Sequence, residues 1–250
     1  MNDDLARLQQ VWNALGRDDP LWAVLSSGDK RGGRWQIDEF LATGRVEIEN
    51  QLGALAPHGL PVSKRTALDF GCGAGRLTRA LAAHFEQVVG LDVSPSMIAT
   101  ARRLNADVAN IEFRENLSPK LDGVADASID LVFSCITLQH IPGNLALGYI
   151  EEFCRVLAPG GAAVFQFVSG FSDDWRGRLH AWFPNRWLNP LRRLMWRRWS
   201  VFEMHVLSEQ RVRALLDRHA DMRLLADVPD GSSGVGWLGR RWYVVRDPAR

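Results

Sequence analysis

The chain has 250 residues and a mass of 28.0 kDa, which fits one large domain or one domain with a small cap. Hydrophobic residues make up 46% and charged residues 24%, so we expect a full apolar core, and a mainly disordered chain is excluded. Thirty Lys and Arg oppose 29 Asp and Glu, and this near-neutral balance argues against a nucleic-acid partner. No signal-peptide core, spanning helix, disulfide framework or metal site is expected, which predicts a cytoplasmic protein.

The first 60 residues are predicted to form polar, amphipathic helices. Apolar side chains recur at helical spacing near the N-terminus, at Leu5, Leu8, Val11, Trp12 and Leu15. Residues 37–55 repeat this pattern, and prolines then end it.

From residue 66 onward, short apolar runs alternate with helical stretches. The predicted strands are 66–70, 88–92, 111–113, 130–134, 162–168, 222–228 and 242–246. The predicted helices between them are 76–85, 96–104, 145–157 and 209–219. This alternation predicts an α/β fold with a parallel sheet and helices on both of its faces.

A glycine-rich loop follows the first of these strands. The strand ends in Asp69, and the glycines that follow it are Gly71, Gly73 and Gly75. Glycine permits close approach of the backbone to a ligand, and nucleotides bind at this edge of α/β sheets. The second strand ends in Asp92, where an acid can accept hydrogen bonds from both ribose hydroxyls. Because neither GxGxxG nor GK[ST] occurs here, the pattern predicts an adenosine-type ligand rather than a bound pyrophosphate.

Four segments resemble, in order, the motifs of the class I S-adenosylmethionine-dependent methyltransferases with a type 11/25-like methyltransferase domain. They are ALDFGCGAGRLTRAL (67–81), VVGLDVSPSMIATAR (88–102), DASIDLVFSCITLQHI (126–141) and RVLAPGGAAVFQF (155–167). The resemblance implies a Rossmann-like, seven-stranded, mostly parallel sheet whose last strand is antiparallel. It also implies S-adenosylmethionine (SAM) as the cofactor and S-adenosylhomocysteine (SAH) as the product.

Within this fold we expect four parts in chain order. They are an N-terminal helical cap (1–62), a SAM-binding core (63–169), an insertion rich in Arg and Trp (170–206) and the C-terminal end of the core (207–250), with its helix and last two strands. The insertion therefore precedes the last two strands.

The resemblance also implies which residues contact the cofactor. The three glycines of the loop would line its methionine and ribose parts, Asp69 would lie near its amino group, and Asp92 would hold the ribose hydroxyls. The other implied contacts are Val93 and Met97 on the adenine, Asn116 and Leu117 at the adenine edge, and Cys135 near the cofactor. We interpret Cys135 as a small buried side chain without a catalytic role.

Methyl transfer from a sulfonium is an in-line displacement, so holding donor and acceptor in line can contribute roughly 7–11 kcal/mol. His140, which follows the fourth strand, is the candidate general base, because an imidazole pKa near about 6.5 suits proton acceptance at neutral pH. Its alternative role is to orient the loop or to contact the cofactor. The candidates for acceptor contacts are Trp35, Gln139, His140, Trp175, His180 and Trp199.

The predicted insertion contains five of the ten tryptophans and seven arginines. Three interpretations stay open: a lid that lines a substrate pocket, a membrane-interface helix at 186–202, or a dimer surface. Its aromatic content suggests an apolar or aromatic acceptor, and its arginines suggest an acidic group on that acceptor or nearby.

Together these patterns predict methyl transfer from SAM to an O, N or S atom of a small molecule, by a monomer or a homodimer. One alternative is methylation of a lipid or glycan-lipid at the membrane face. Another is a domain that binds SAM or SAH without turnover.

Overall fold

The computed structural model describes residues 3–61, 63–175, 177–178 and 203–248. Its helices are α1 (Asp3–Asp18), α2 (Pro20–Val24), α3 (Ile37–Leu55), α4 (Arg76–Ala82), α5 (Pro95–Leu104), α6 (Gly143–Val156) and α7 (Glu209–Leu216). Its strands are β1 (Thr66–Phe70), β2 (Gln87–Asp92), β3 (Ile111–Glu115), β4 (Ile129–Ser134), β5 (Leu157–Phe171), β6 (Met222–Asp230) and β7 (Trp237–Arg246).

The described strands form one seven-stranded sheet in the order β3-β2-β1-β4-β5-β7-β6. The first five strands pair in parallel, and β7 lies antiparallel between β5 and β6. The predicted fold class, a Rossmann-like and mostly parallel sheet, is therefore confirmed.

Both faces of the sheet are buried, so the central strands carry apolar side chains on both of their sides. In β4, Leu131 belongs to the apolar cluster that includes residues of α3 and α4, whereas Val132 belongs to the cluster that includes residues of α6 and α7. Each strand end is thereby held rigidly, and the loops that follow β1, β2 and β4 are positioned by a packed core.

The N-terminal helices pack directly against the sheet-bound helices. The helix α1 contacts α5, and the Ser96 hydroxyl donates to the Asn13 carbonyl at 2.9 Å. Gly16 permits this approach, because a side chain there would overlap with Ser96. The longer helix α3 packs against α4 and buries Phe40, Ile48 and Leu55.

Element boundaries differ from the prediction where pairing between distant strands decides them. The strand β5 continues to Phe171, past the predicted end at residue 168 and past the expected part boundary at 169, because β7 pairs with it from Val245 to Trp237. The helix α4 ends at Ala82 instead of residue 85, since the next amide, that of Ala83, bonds back to the carbonyl of Ala80 in a tighter turn.

Only the ends of the predicted insertion are described. The C-terminal end of the insertion is held on the sheet, because the amide of the next residue, Leu207, donates to the Val168 carbonyl at 2.8 Å. His180, Trp199 and the whole of 186–202 lie outside the described residues. Within the described part of the chain, no helix combines the length and apolar character needed to cross a membrane.

The packing of α3 on α4 predicts opposite effects for two glycines of one helix. A side chain at Gly44 would overlap with the carbonyl of Arg76, whereas nothing lies within 4 Å of the position at Gly53. We expect Gly44→Ala to lower the free energy of unfolding by about 1–3 kcal/mol through overpacking. Gly53→Ala should raise it by about 0.5–1 kcal/mol through helix propensity. Urea unfolding followed by circular dichroism measures both, and an equal stabilisation by both variants would contradict the close contact.

Candidate active site

A cavity of about 800 Å³ opens at the carboxyl ends of the central strands. The strands β1 and β4 are neighbours in the sheet, but the chain leaves β1 toward β2 and leaves β4 toward β5, in opposite directions. This reversal separates the following loops and leaves a crevice, which is where open α/β sheets bind ligands. The glycine loop after β1, the end of β2 and the loop after β4 form its wall.

Eight of the predicted site residues line this cavity: Gly71, Gly73, Asp92, Val93, Met97, Asn116, Cys135 and His140. Asp69 lies behind the wall and has no exposed surface, and Gly75 is the N-cap residue of α4. The other described candidates lie outside the cavity lining: Trp35, Leu117, Gln139 and Trp175.

Those outlying candidates are occupied elsewhere or face away. The indole N–H of Trp35 donates to the Leu25 carbonyl at 3.1 Å, and its ring packs against Phe40 at 5.8 Å between centroids. Leu117 is 42% exposed and Trp175 is 69% exposed, so neither side chain is held against the cavity. Trp35, in the loop between α2 and α3, therefore supports the fold instead of covering the site.

The glycine loop adopts backbone conformations that few other residues tolerate. Gly71 and Gly73 have φ values of +75° and +52°, in the left-handed region. A side chain at Gly71 would overlap with Thr137 in the loop after β4, and one at Gly73 would lie 2.6 Å from Val24. The loop thus brings bare backbone to the cavity between two neighbouring elements.

The carboxylate of Asp92 binds this loop to the end of β2. Its Oδ2 accepts the Gly73 amide at 2.9 Å, and its Oδ1 accepts the Ser94 amide at 2.8 Å. Desolvation raises the pKa of Asp92 to about 6, although these backbone donors oppose the shift. Each oxygen keeps a further lone pair, so the carboxylate can still accept hydrogen bonds from a ligand in the cavity.

Asp69 brings a second carboxylate beneath the loop. The Thr78 hydroxyl donates to its Oδ2 at 2.6 Å, whereas its buried Oδ1 has no hydrogen-bond partner among the described residues. Burial raises the pKa of Asp69 to about 6. An unsatisfied buried oxygen is uncommon in folded proteins, and it marks this place as one that a ligand or a water completes.

The N-terminal helix α1 covers the cavity with apolar side chains that sequence reasoning missed. Leu5, Leu8 and Trp12 line the cavity, and the Trp12 ring contacts the His140 ring at 5.1 Å between centroids. The amphipathic stripe of α1 predicted a buried face, but nothing in the sequence indicated that part of this face would close a ligand cavity.

A chain of hydrogen bonds fixes the state of the His140 ring. The Ile136 amide donates to Gln166 Oε1 at 3.1 Å, and Gln166 Nε2 donates to Gln139 Oε1 at 2.9 Å. Gln139 Nε2 lies 3.2 Å from His140 Nε2, and His140 Nδ1 lies 2.8 Å from the Glu203 carbonyl. Because a backbone N–H begins the chain and a backbone carbonyl ends it, every donor is determined: Nδ1 carries the hydrogen and Nε2 accepts.

This environment favours a positioning role for His140 over a role as general base. Burial lowers its pKa to about 4, which makes the imidazole a weak proton acceptor at neutral pH. The lone pair that would take a proton already faces the amide of Gln139. The ring instead connects the loop after β4 with the backbone of Glu203.

The same chain holds an unusual backbone conformation at the cavity wall. Ile136 has a φ of +58°, which is disfavoured for a β-branched residue. Such a conformation persists only where the surroundings impose it, and here the Gln166 side chain accepts the Ile136 amide. Gln166 is fully buried on β5 and therefore shapes the site from behind the wall.

A second cavity of about 620 Å³ adjoins the first at its mouth. The two share Leu8, Trp12 and His140, so an apolar and aromatic partition separates them. The rim of the second cavity is charged, and Arg7 of α1 forms an ion pair there with Glu203. The N-terminal helix and the C-terminal end of the predicted insertion thus meet at this opening.

Known proteins resemble the central part of the chain. Residues 67–161 match the family model described as a methyltransferase domain. Trans-aconitate 2-methyltransferase of Methylobacterium nodulans is 32% identical over 150 residues, which cover 56% of this chain and 52% of that protein. The 2-methyl-6-phytyl-1,4-hydroquinone methyltransferase of Synechocystis is 31% identical over 137 residues, which cover 54% of this chain and 40% of that protein. The chain spans about half the length of the curated relatives it matches.

A solved structure resembles nearly the whole chain. Magnesium protoporphyrin IX methyltransferase of Synechocystis, with bound SAH, has a TM-score of 0.63 over 97% of this chain and 99% of that one. At 16% identity this likeness shows the fold. The range matched by the family model includes the first three sequence motifs and the start of the fourth.

The hydrogen bonds of His140 predict its protonation state. Because its pKa is lowered to about 4, the ring should stay neutral, with its hydrogen on Nδ1, from pH 8 down to pH 5. Long-range proton–nitrogen NMR spectra measure this, with His140→Gln assigning the signals.

Since an unfolded histidine takes up its proton near pH 6.5, this group should reduce stability as the pH falls from about 6.5 toward 4. Protonation near pH 6.5 in the folded protein would contradict the environment described.

Proposed function

We propose that residues 67–161 form a methyltransferase domain of the class I, S-adenosylmethionine-dependent type, and that the protein transfers the methyl group of SAM to a small molecule. The observation that carries the proposal is the convergence of the glycine loop, Asp92 and the loop after β4 on one cavity. A second cavity adjoins it and leaves room for an acceptor.

The described residues fit SAM in three respects. The loop at Gly71 and Gly73 leaves a cradle that side chains would fill. Asp92 presents oxygens with remaining acceptor capacity, and we assign it to the ribose hydroxyls. Asp69 carries a buried oxygen without a hydrogen-bond partner, and we assign it to the neighbourhood of the cofactor's amino group, directly or through water. These features match the polar groups of the cofactor, sugar and amino acid alike.

The apolar part of the cavity suits the rest of the cofactor. We assign Val93 and the buried Met97 to the adenine faces and Asn116 to the adenine edge. Leu117 has no such role in this proposal, because its side chain is exposed. Cys135 lines the cavity as a small thiol whose pKa is raised to about 12 by burial, so it stays protonated.

The chain's own residues position the reaction and exclude water. SAM, when bound, supplies a methyl group on a sulfonium, which an acceptor lone pair attacks in line as the carbon–sulfur bond breaks. Leu5, Leu8 and Trp12 close the cavity from the N-terminal side and keep solvent from the reacting atoms. We propose that His140 orients the loop after β4, and that the acceptor enters the cavity already without the proton on its attacking atom.

We propose that the acceptor enters through the second cavity. Its aromatic partition at Trp12 suits an apolar or aromatic body. An acidic group on the acceptor stays a prediction, because Arg7 at the rim is paired with Glu203 and Asp4 lines the same cavity. Of the acceptors named for two relatives, trans-aconitate is acidic and the hydroquinone is aromatic. A carboxylate is already deprotonated at neutral pH and a thiol, with a pKa near about 8.5, is partly ionised, so such acceptors need no strong base. A phenol, with a pKa near about 10, is less suited to a site without a base.

Assembly and location remain proposals of the same kind. We propose a cytoplasmic protein, because its three cysteines are free thiols buried in the fold. The membrane contact predicted through 186–202, and the choice between monomer and homodimer, stay predictions.

Calorimetric titration with SAH tests the proposal. The wild-type protein should bind SAH at micromolar concentration, and Asp92→Ala should weaken binding by about 1–3 kcal/mol through loss of charge-assisted hydrogen bonds to the ribose. The control is Asp107→Ala, which removes an exposed partner of Arg79 outside the cavity. Binding that is equal in wild type and Asp92→Ala would contradict the ribose assignment.

Turnover is tested with SAM that carries a labelled methyl group. A panel of phenols, thiols and small polycarboxylates, each incubated with the protein, should yield one class that acquires label. Binding of SAH without transfer to any member of the panel would favour a domain that binds the cofactor without turnover.

A further inference from the structure

The first residue of α4, Arg76, places a buried cation at the inner wall of the cavity. It follows Gly75 directly, and it lines the cavity although it is only 4% exposed. Its Nε is buried and has no hydrogen-bond partner among the described residues. An arginine carries five donors in a planar fork, so a buried guanidinium without an anion is costly unless a ligand supplies one.

The neighbouring carboxylates are already engaged or incompletely paired. Glu47 of α3 pairs with Arg241 of β7, which also pairs with Asp230 at 2.6 Å. Asp69 accepts the Thr78 hydroxyl at its other oxygen and forms no ion pair with Arg76. Arg76 and Asp69 thus attract each other through space, but no hydrogen bond joins Arg76 Nε to Asp69 Oδ1.

The backbone of Arg76 is fixed from outside the cavity. The helix α3 packs so closely on α4 at Gly44 that a side chain there would overlap with the Arg76 carbonyl. Gly75, with a φ of +82°, ends the loop on the other side. The backbone that carries the guanidinium is consequently fixed at the start of a packed helix, unlike that of a flexible arginine on the protein surface.

We propose that Arg76 binds a ligand carboxylate, and that this carboxylate belongs to the methionine part of the cofactor. Strand order supports the source. The residues assigned to adenosine follow β2 and β3, whereas Arg76 follows β1 and lines the cavity beside Cys135, which follows β4. Adenosine then lies at the β2 and β3 side of the sheet edge, and the amino-acid end of the ligand lies at the β1 and β4 side. Arg76 Nε and Asp69 Oδ1, which have no hydrogen-bond partner among the described residues, lie on that second side. An amino-acid zwitterion carries the two opposite charges that these groups lack.

This inference rests on the proposed function, so its test compares two ligands. SAH carries the amino-acid group, whereas 5′-methylthioadenosine keeps the adenosine and the thioether but lacks that group. Arg76→Gln should weaken SAH binding roughly 10- to 100-fold, the range of hydrogen bonds to charged groups, and leave methylthioadenosine binding almost unchanged. Arg76→Lys should restore part of the SAH affinity, because an ammonium keeps the charge but not the planar fork.

The matched control is Arg79→Gln, one turn further along α4. Arg79 forms an exposed ion pair with Asp107 at 2.7 Å and does not line the cavity. It should leave the affinities for both ligands at their wild-type values. Thermal unfolding of each variant confirms that the titrated protein is folded.

Three outcomes would overturn the inference, and they differ in what they leave standing. Equal losses for both ligands would show that Arg76 only supports the glycine loop. Wild-type affinities for both ligands in Arg76→Gln would assign the guanidinium away from the cofactor, for example to an acidic acceptor. A wild-type protein that binds neither ligand would overturn the proposed function itself.

Discussion

The carboxylate of Asp92 is the contact on which the shape of the cavity depends. It stands at the end of β2 and accepts amides from the loop after β1 and from the start of α5. The loop is held a second time at this place, because the amides of Gly71 and Cys72 both donate to the Leu91 carbonyl. Since β1 and β2 are adjacent parallel strands, one side chain closes the space between their loops and fixes the backbone before any ligand arrives.

Two neighbouring groups of buried charges differ in whether the fold itself supplies their partners. Arg241 is deeply buried, yet Glu47 and Asp230 both pair with it, so that cluster is satisfied within the fold. Arg76 and Asp69 lie close by and lack such partners among the described residues. Sequences that break a local rule of polar satisfaction tend to do so at functional sites. The contrast within one region argues that the missing partners are supplied by a ligand.

The sequence predicted those features that depend on local pattern. Short apolar runs between helical stretches located all seven strands, and the spacing of three glycines and two acids located the cavity. The sequence could not place Trp12, because only the packing of α1 on α5 brings that ring to His140, 128 positions away in the chain. It also could not show that the Trp35 ring packs against Phe40. The length of β5 depended on pairing with β7, which local pattern does not report.

His140 shows why a motif residue can be located and its role still be missed. Its position after β4 is fixed by sequence, but its chemistry depends on Gln166 of β5 and on the carbonyl of Glu203. Glu203 also pairs with Arg7 of α1, so the mouth of the cavity is formed by parts of the chain that lie outside the motifs. The cofactor side of the site is thus determined by short-range pattern, and the acceptor side by long-range contacts. We therefore expect acceptor choice to depend on α1 and on residues 203–206, whereas we propose that the glycine loop and Asp92 serve the cofactor.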